Sequence, residues 1–164
     1  MPDPGYAYIG PTDLFTTTST GDPIHSPPDA TTWLGARPAD ELSEPFTFVV
    51  DLTGVLRLAP RRSEHVACAG GARVLAAGEI GFERVGGGWV VDEVSNQSTG
   101  YCPDVTSWTA VATALRRAGL AHPPGFTHEV VFRRCPGCRE VGIVREGDYV
   151  CVFCGSGLPT EWNV

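Results

Sequence analysis

Cys135-Pro136-Gly137-Cys138 and, after twelve intervening residues, Cys151-Val152-Phe153-Cys154 decide how the C-terminal end of this chain is built. Two thiols three positions apart curl a short loop around one point. Two such loops facing each other supply four soft ligands to a tetrahedral centre, each at about 2.3 Å. Gly155 follows the second pair and lets the chain turn. Between the pairs, Val141-Gly142-Ile143-Val144 and Tyr149-Val150-Cys151-Val152 read as two strands joined by Arg145-Glu146-Gly147-Asp148. The pattern is that of a zinc ribbon over 133–164. Four thiolates leave no open position for water, so the expected zinc is a structural cofactor that holds a segment too small to hold itself. Rubredoxin-type iron uses similar loops, so the spacing leaves zinc and iron both open. A thioredoxin-like redox pair requires a βαβ setting that is missing here.

Just upstream, Phe126-Thr127-His128-Glu129-Val130-Val131-Phe132 reads as a strand leading into the ribbon. Before it stands one convincing helix. Trp108, Val111, Ala112, Leu115 and Leu120 fall near helical spacing, and Asp104 or Thr106 supplies the cap. Arg116 and Arg117 sit in the last turn, where the helix dipole favours cations, and Gly119 ends it. Further back the periodicity changes to two. Phe46–Asp51 alternates, Thr53-Gly54 turns, Val55–Leu58 returns, Arg73–Arg84 makes a long strand, Gly86-Gly87-Gly88 turns again and Trp89–Val94 closes a meander. The expected fold class is α+β: an antiparallel sheet with one packed helix over 46–132, followed by the four-cysteine ribbon.

Residues 1–45 are different in kind. They hold eight of the 14 prolines and seven acids against Arg37 alone. Tyr6, Tyr8, Ile9, Leu14, Phe15, Trp33 and Leu34 argue against a purely solvated tail. The expectation is an acidic, Pro-rich segment partly docked on the core, with a mobile part near 16–31.

The net charge is -7, and all 12 basic residues are arginine. Outside 1–45, twelve acids meet eleven arginines, and the ribbon itself has four of each. Such a balance does not favour non-specific phosphate binding, so nucleic acid is not expected as a partner. No apolar run is long enough to cross a bilayer, and Met1-Pro2-Asp3-Pro4 shows neither a basic nor an apolar signal region. A soluble, cytoplasmic, bacterial protein is expected, without a disulfide framework.

The densest oddity lies in the middle: His65-Val66-Ala67-Cys68-Ala69-Gly70-Gly71, running on to Ala76-Ala77-Gly78-Glu79, and then Ser95-Asn96-Gln97-Ser98-Thr99-Gly100-Tyr101-Cys102-Pro103. Glycines let backbone N–H groups approach a ligand, so His65, Gly70, Gly71, Ser98, Gly100 and Tyr101 are candidate ligand-binding residues. His65, Glu79 and Cys102 are candidate catalytic residues, Cys102 as a thiol needing His65 as base. An equally concrete reading is structural. Asn96, Ser98 and Thr99 serve the turn before the helix, His65 caps a strand, and Cys102 is a small buried hydrophobe.

These two stretches, with Tyr8-Ile9-Gly10-Pro11, resemble a segment of the plant IQ-motif calmodulin-binding protein family and similar microbial domains, over about residues 46–103. The resemblance implies a shared fold and a shared pocket or interaction face, and the family offers no enzymatic activity to carry over. The histidine of the family's Ser-Gly-His-Tyr turn is absent, since Thr99 follows Ser98 and Tyr101 follows Gly100 directly. No IQ motif is present, so calmodulin binding is not implied. The resulting expectation is a small binding or adaptor protein with a protein partner and a glycine-framed ligand or peptide site. The rivals are an enzyme acting on a nucleotide-like molecule through His65, Glu79 and Cys102, and a nucleic-acid-associated ribbon protein with Arg133, Arg134, Arg139 and Arg145 on one face.

Overall fold

The computed structural model describes residues 5–164. Its centre is a five-stranded antiparallel sheet, built from β1 (Asp22–Ile24), β2 (Phe46–Asp51), β3 (Leu56–Ala59), β4 (Val74–Val85) and β5 (Gly88–Val94) in the order β1-β3-β2-β4-β5. The turn between β2 and β3 is organised by Asp51. Its carboxylate accepts hydrogen bonds from the Thr53 and Val55 amides, the Thr53 hydroxyl and the Arg57 guanidinium. Burial alone would raise its pKa, but these donors outweigh that and lower it.

Because successive side chains of a strand point to opposite faces, β2 feeds two cores at once. Phe46, Phe48 and Val50 face one side, where they meet α1 (Pro27–Gly35) and α4 (Trp108–Arg117). Trp33 of α1 stacks edge-on against Phe46, with ring centroids 4.9 Å apart, and donates its indole N–H to Asp22 at 2.8 Å. Val111, Ala114 and Leu115 of α4 are buried against the same face. Val49 faces the other side with Val74 and Ala77. There it meets Val66 and Cys68 of the one-turn helix α3 (His65–Cys68), together with Tyr101 and the rings of Tyr6 and Tyr8. A further single turn, α2 (Ala39–Leu42), links α1 to β2.

The α+β class follows the sequence pattern, but the expected meander does not form: β4 pairs with β2 and not with β3, so the chain crosses from β3 past β2 through α3 before returning to the sheet. The N-terminal segment contributes more than the pattern indicates, since residues 22–24 add an edge strand beside β3 and residues 27–35 form a second helix on the sheet. Pro27 and Pro28 occupy the first helical positions, where a missing N–H costs nothing, and Ser26 caps Asp29. On the far face residues 15–20 lie across Gly70 and Gly71, and Tyr8 lies over Gly100. Among the described residues no helix is long and apolar enough to cross a membrane.

The ribbon's first strand, β6 (Val131–Arg134), pairs antiparallel with β7 (Val141–Val144). Residues 126–130 continue the strand pattern of β6 in sequence, but they form no regular ladder. The Thr127 and His128 amides bond the Val94 carbonyl, and side chains supply the rest. Thr127 bonds both the N–H and the C=O of Val94, and Asn96 bonds Val130. Asn96 is fully buried. Its carbonyl accepts from the Val130 amide at 2.7 Å, and its amide donates to the carbonyls of Val130 and Pro103 at 2.7 and 3.0 Å.

Replacing Asn96 by leucine leaves three buried backbone groups without partners. Each such group costs about 1–3 kcal/mol. Asn96→Leu is therefore expected to lower unfolding stability by at least about 3 kcal/mol in urea titration. Gln97→Leu, at a half-buried neighbour, is expected to shift the midpoint little.

A candidate metal centre and the central motif

The two cysteine loops are built alike. In each, the first cysteine's N–H bonds the carbonyl five residues on: Cys135 to Glu140 and Cys151 to Ser156, both at 2.8 Å. In each, the residue after the second cysteine bonds back to the first cysteine's carbonyl at 2.9 Å. That residue has positive φ, +71° at Arg139 and +77° at Gly155. The left-handed turn is natural for glycine and strained for arginine. The loops come together where Ser156 sits over Gly137, leaving no room for a side chain there.

This convergence brings the sulfurs of Cys135, Cys138, Cys151 and Cys154 within 4.8 Å of one another. Cys135 and Cys154 are 3.6 Å apart, as are Cys138 and Cys151. A disulfide needs about 2.05 Å, whereas four thiolates around one tetrahedral ion at about 2.3 Å stand roughly 3.8 Å apart. The donor set and spacing therefore fit one soft divalent ion. The amides of Cys138 and Phe153 point at the sulfurs of Cys135 and Cys151, at 3.5 and 3.4 Å. Hydrogen bonds from the hydroxyl and amide of Ser156 hold Cys154 as a thiolate, lowering its pKa to about 6. At Cys138 the Glu140 amide favours the thiolate, but burial and the three neighbouring thiols prevail and push the thiol up to about 12. Four sulfurs this close cannot all carry charge without a cation between them. No other group of histidine, cysteine or acidic ligand atoms gathers in this way among the described residues.

The central motif does not form a comparable cluster. His65 directs Nε2 to the carbonyl of Gly78 at 2.8 Å, and burial lowers its pKa. It is a neutral imidazole bracing β4 from α3. Cys102 donates its thiol to the Thr99 carbonyl at 3.3 Å, and burial raises its pKa to about 11. Glu79 lines a separate hollow with Glu93 and His128. His65 and Glu79 are near enough for the carboxylate charge to act on the imidazole, but Cys102 bonds only Thr99, so the thiol has no activating base. Ser98 accepts from the Tyr101 amide, which shapes the turn. Tyr101 is buried, donating its hydroxyl to Ala72 at 2.7 Å. Gly100 accepts from Ile9 and lies under the ring of Tyr8. Gly70 and Gly71, both with positive φ, are covered by Thr20 and by Thr16, Thr17 and Phe15. The chain's own N-terminal segment packs over these glycines and leaves a hollow of about 410 Å³ lined by Tyr8, Gly10, Phe15, Gly71 and Arg73. Cys68 is buried too, its thiol directed at the Arg57 carbonyl and its pKa pushed up to about 12.

Of the four ribbon arginines, Arg133 is buried and donates to the carbonyls of Phe132, Pro159 and Thr160. It fastens the C-terminal tail and does not join an exposed basic row.

The residues that sequence reasoning missed lie where the second cysteine loop meets the body. Val152 and Phe153, 70% and 63% exposed, stand beside a hollow of about 290 Å³ lined also by Cys102, Phe132 and Ile143. Two large apolar groups in the middle of a Cys-x-x-Cys loop were the available signal. No family model matches the chain, and neither a curated protein nor a solved structure matches it significantly.

Two outcomes are expected. Protein purified under reducing conditions carries one divalent ion per chain by elemental analysis, and Cys135→Ala loses both the ion and the ribbon's protection from proteolysis. A neutral histidine with a depressed pKa makes the unfolded chain the better proton acceptor below about pH 6.5. Stability contributed by His65 is therefore present above that value and lost as pH falls, by at most about 1.4 kcal/mol per pH unit. His65→Gln keeps a donor for Gly78 and is expected to flatten the acid limb of stability between pH 7 and pH 5 in denaturant titrations.

Proposed function

We propose that this protein is a non-enzymatic binding protein whose structural zinc ion shapes one wall of an apolar cleft between ribbon and sheet. The observation that carries the reading is the exposure of Val152 and Phe153 between Cys151 and Cys154, beside the hollow floored by Phe132 and Ile143. Exposing two large apolar side chains is unfavourable by roughly 1.5–3 kcal/mol each relative to burying them. Contiguous exposed apolar surface of this kind marks contact sites. Zinc is favoured over iron because a closed four-thiolate centre in a folding role needs no redox change. Free thiols at Cys68 and Cys102 suit a reducing bacterial cytoplasm.

Two further observations support the reading. Cys102 is bonded to Thr99 and His65 to Gly78, which leaves the candidate thiol without the base that an enzyme of this kind needs. Residues 15–20 pack against Gly70 and Gly71, where a ligand phosphate would otherwise approach the backbone, which favours the ribbon as the binding surface. We also propose common ancestry with the IQ-motif family's domain over 46–103. Its support is that Tyr8–Pro11 and Ser98–Pro103, the segments that resemble that family, lie together through Ile9 and Gly100.

The test uses the zinc-loaded protein and the neutral apolar fluorophore N-phenyl-1-naphthylamine. Binding is expected with the wild type. Phe153→Ser, which leaves all four cysteines in place, is expected to weaken it at least about tenfold without changing metal content or Tm. Equal dye binding by the two proteins would place the apolar site elsewhere, as at Ile9, Leu14 and Phe15, and sink the reading.

A further inference from the structure

The cleft has a distinctive charge pattern. Its walls are aliphatic and aromatic, no acidic residue lines it, and Arg145 is its one charged lining residue. Arg145 is exposed, at the end of β7, and its guanidinium makes no ion pair or hydrogen bond among the described residues. Every other arginine of the ribbon differs in this or in position: Arg133 is spent on carbonyls, and Arg134 donates to the Arg139 carbonyl. At about 290 Å³ the hollow lies at the small end of ligand sites, which start at roughly 300 Å³. It holds one small apolar molecule, not a helix. An unpaired guanidinium beside a low-dielectric wall attracts an anion and offers a carboxylate two parallel donors.

We propose that this cleft binds a small apolar carboxylate, with its chain or ring against Phe132, Ile143, Val152 and Phe153 and its carboxylate on Arg145. The proposal rests on the reading of the cleft as the binding surface and adds the chemical class of the ligand. It also has a thermodynamic consequence. Val152 and Phe153 belong to the loop that the metal closes, so a ligand resting on them stabilises the loaded ribbon. Ligand at ten times its dissociation constant is expected to shift the metal-loss equilibrium about tenfold, provided that the metal-free chain does not bind it.

Gly142 supplies a variant that acts inside the cleft. A Cβ there would stand 3.7 Å from the Phe153 ring, an ordinary contact, so the backbone tolerates a side chain and a longer one fills the space. The experiment displaces the neutral fluorophore from zinc-loaded protein with decanoate, kept below its micelle threshold, and with decanol. Chelator titrations of metal loss run in parallel. Decanoate is expected to bind wild type at least about fivefold more tightly than decanol and to protect the metal. Arg145→Gln is expected to erase that preference while leaving decanol unchanged. Gly142→Leu is expected to weaken both ligands with metal content intact. Equal affinity for decanoate and decanol, or a preference that survives Arg145→Gln, overturns the proposal. If the dye still binds wild type and is lost in Phe153→Ser, only the carboxylate class fails and the cleft reading stands. Dye binding indifferent to Phe153→Ser defeats both.

Discussion

One buried amide joins the two halves of this molecule. Asn96 has no solvent contact, and its side chain makes three hydrogen bonds, all to backbone groups. It takes the place of the ladder that residues 126–130 lack. Through Pro103 it fixes the approach to α4, and through Val130 it fixes the direction in which β6 leaves the sheet. The ribbon hangs from that point. An aspartate would repel the two carbonyls it must bind, and an aliphatic side chain would strand all three partners. The position of the ribbon, and hence the cleft beneath it, depends on a side chain that accepts and donates in fixed directions.

Beyond that anchor the ribbon has little of its own to bury. Cys102, Val130 and Phe132 form its buried core, with Val141, Ile143 and Val164 packed alongside. A patch of this size does not offset the conformational entropy of ordering some thirty residues at about 1–2 kcal/mol each. The four sulfurs supply what the apolar contacts do not, because metal binding to a site absent from the unfolded chain is itself folding free energy. Arg133 adds a second fastening by binding the carbonyls of Pro159 and Thr160 and drawing the tail back over β6. The Asn163 side chain bonds both the N–H and the C=O of Arg134, covering that edge as a strand would.

What the sequence made legible was local. The cysteine spacing forecasts a thiolate cluster because each loop closes over four residues, and the alternation at Phe46–Asp51 forecasts a strand because the period is carried by neighbours. The unreadable parts were long-range. Gly70 and Gly71 look the same in sequence whether their bare backbone faces a ligand or faces Thr16, Thr17 and Thr20 of the same chain. Helix α1 begins with two prolines, which read as a breaker until one sees that they occupy its first turn. The cleft draws on Cys102, Phe132, Ile143 and Phe153, residues without a common period, so no window of sequence contains it.

The two cysteine loops show where the cleft's character comes from. Their backbones are equivalent, down to the positive φ that follows the second cysteine, so an ion held by both would constrain their paths alike. It dictates nothing about the two residues between the sulfurs, which point away from the ion. In the first loop these are Pro136 and Gly137, exposed and small, one rigid and the other making room for Ser156. In the second they are Val152 and Phe153, also exposed but large and apolar. Folding did not require that difference, since the first loop folds without such groups. A metal-held loop is a rigid mount whose outward residues are free to serve something outside the fold, and here they line the cleft whose one charge is Arg145.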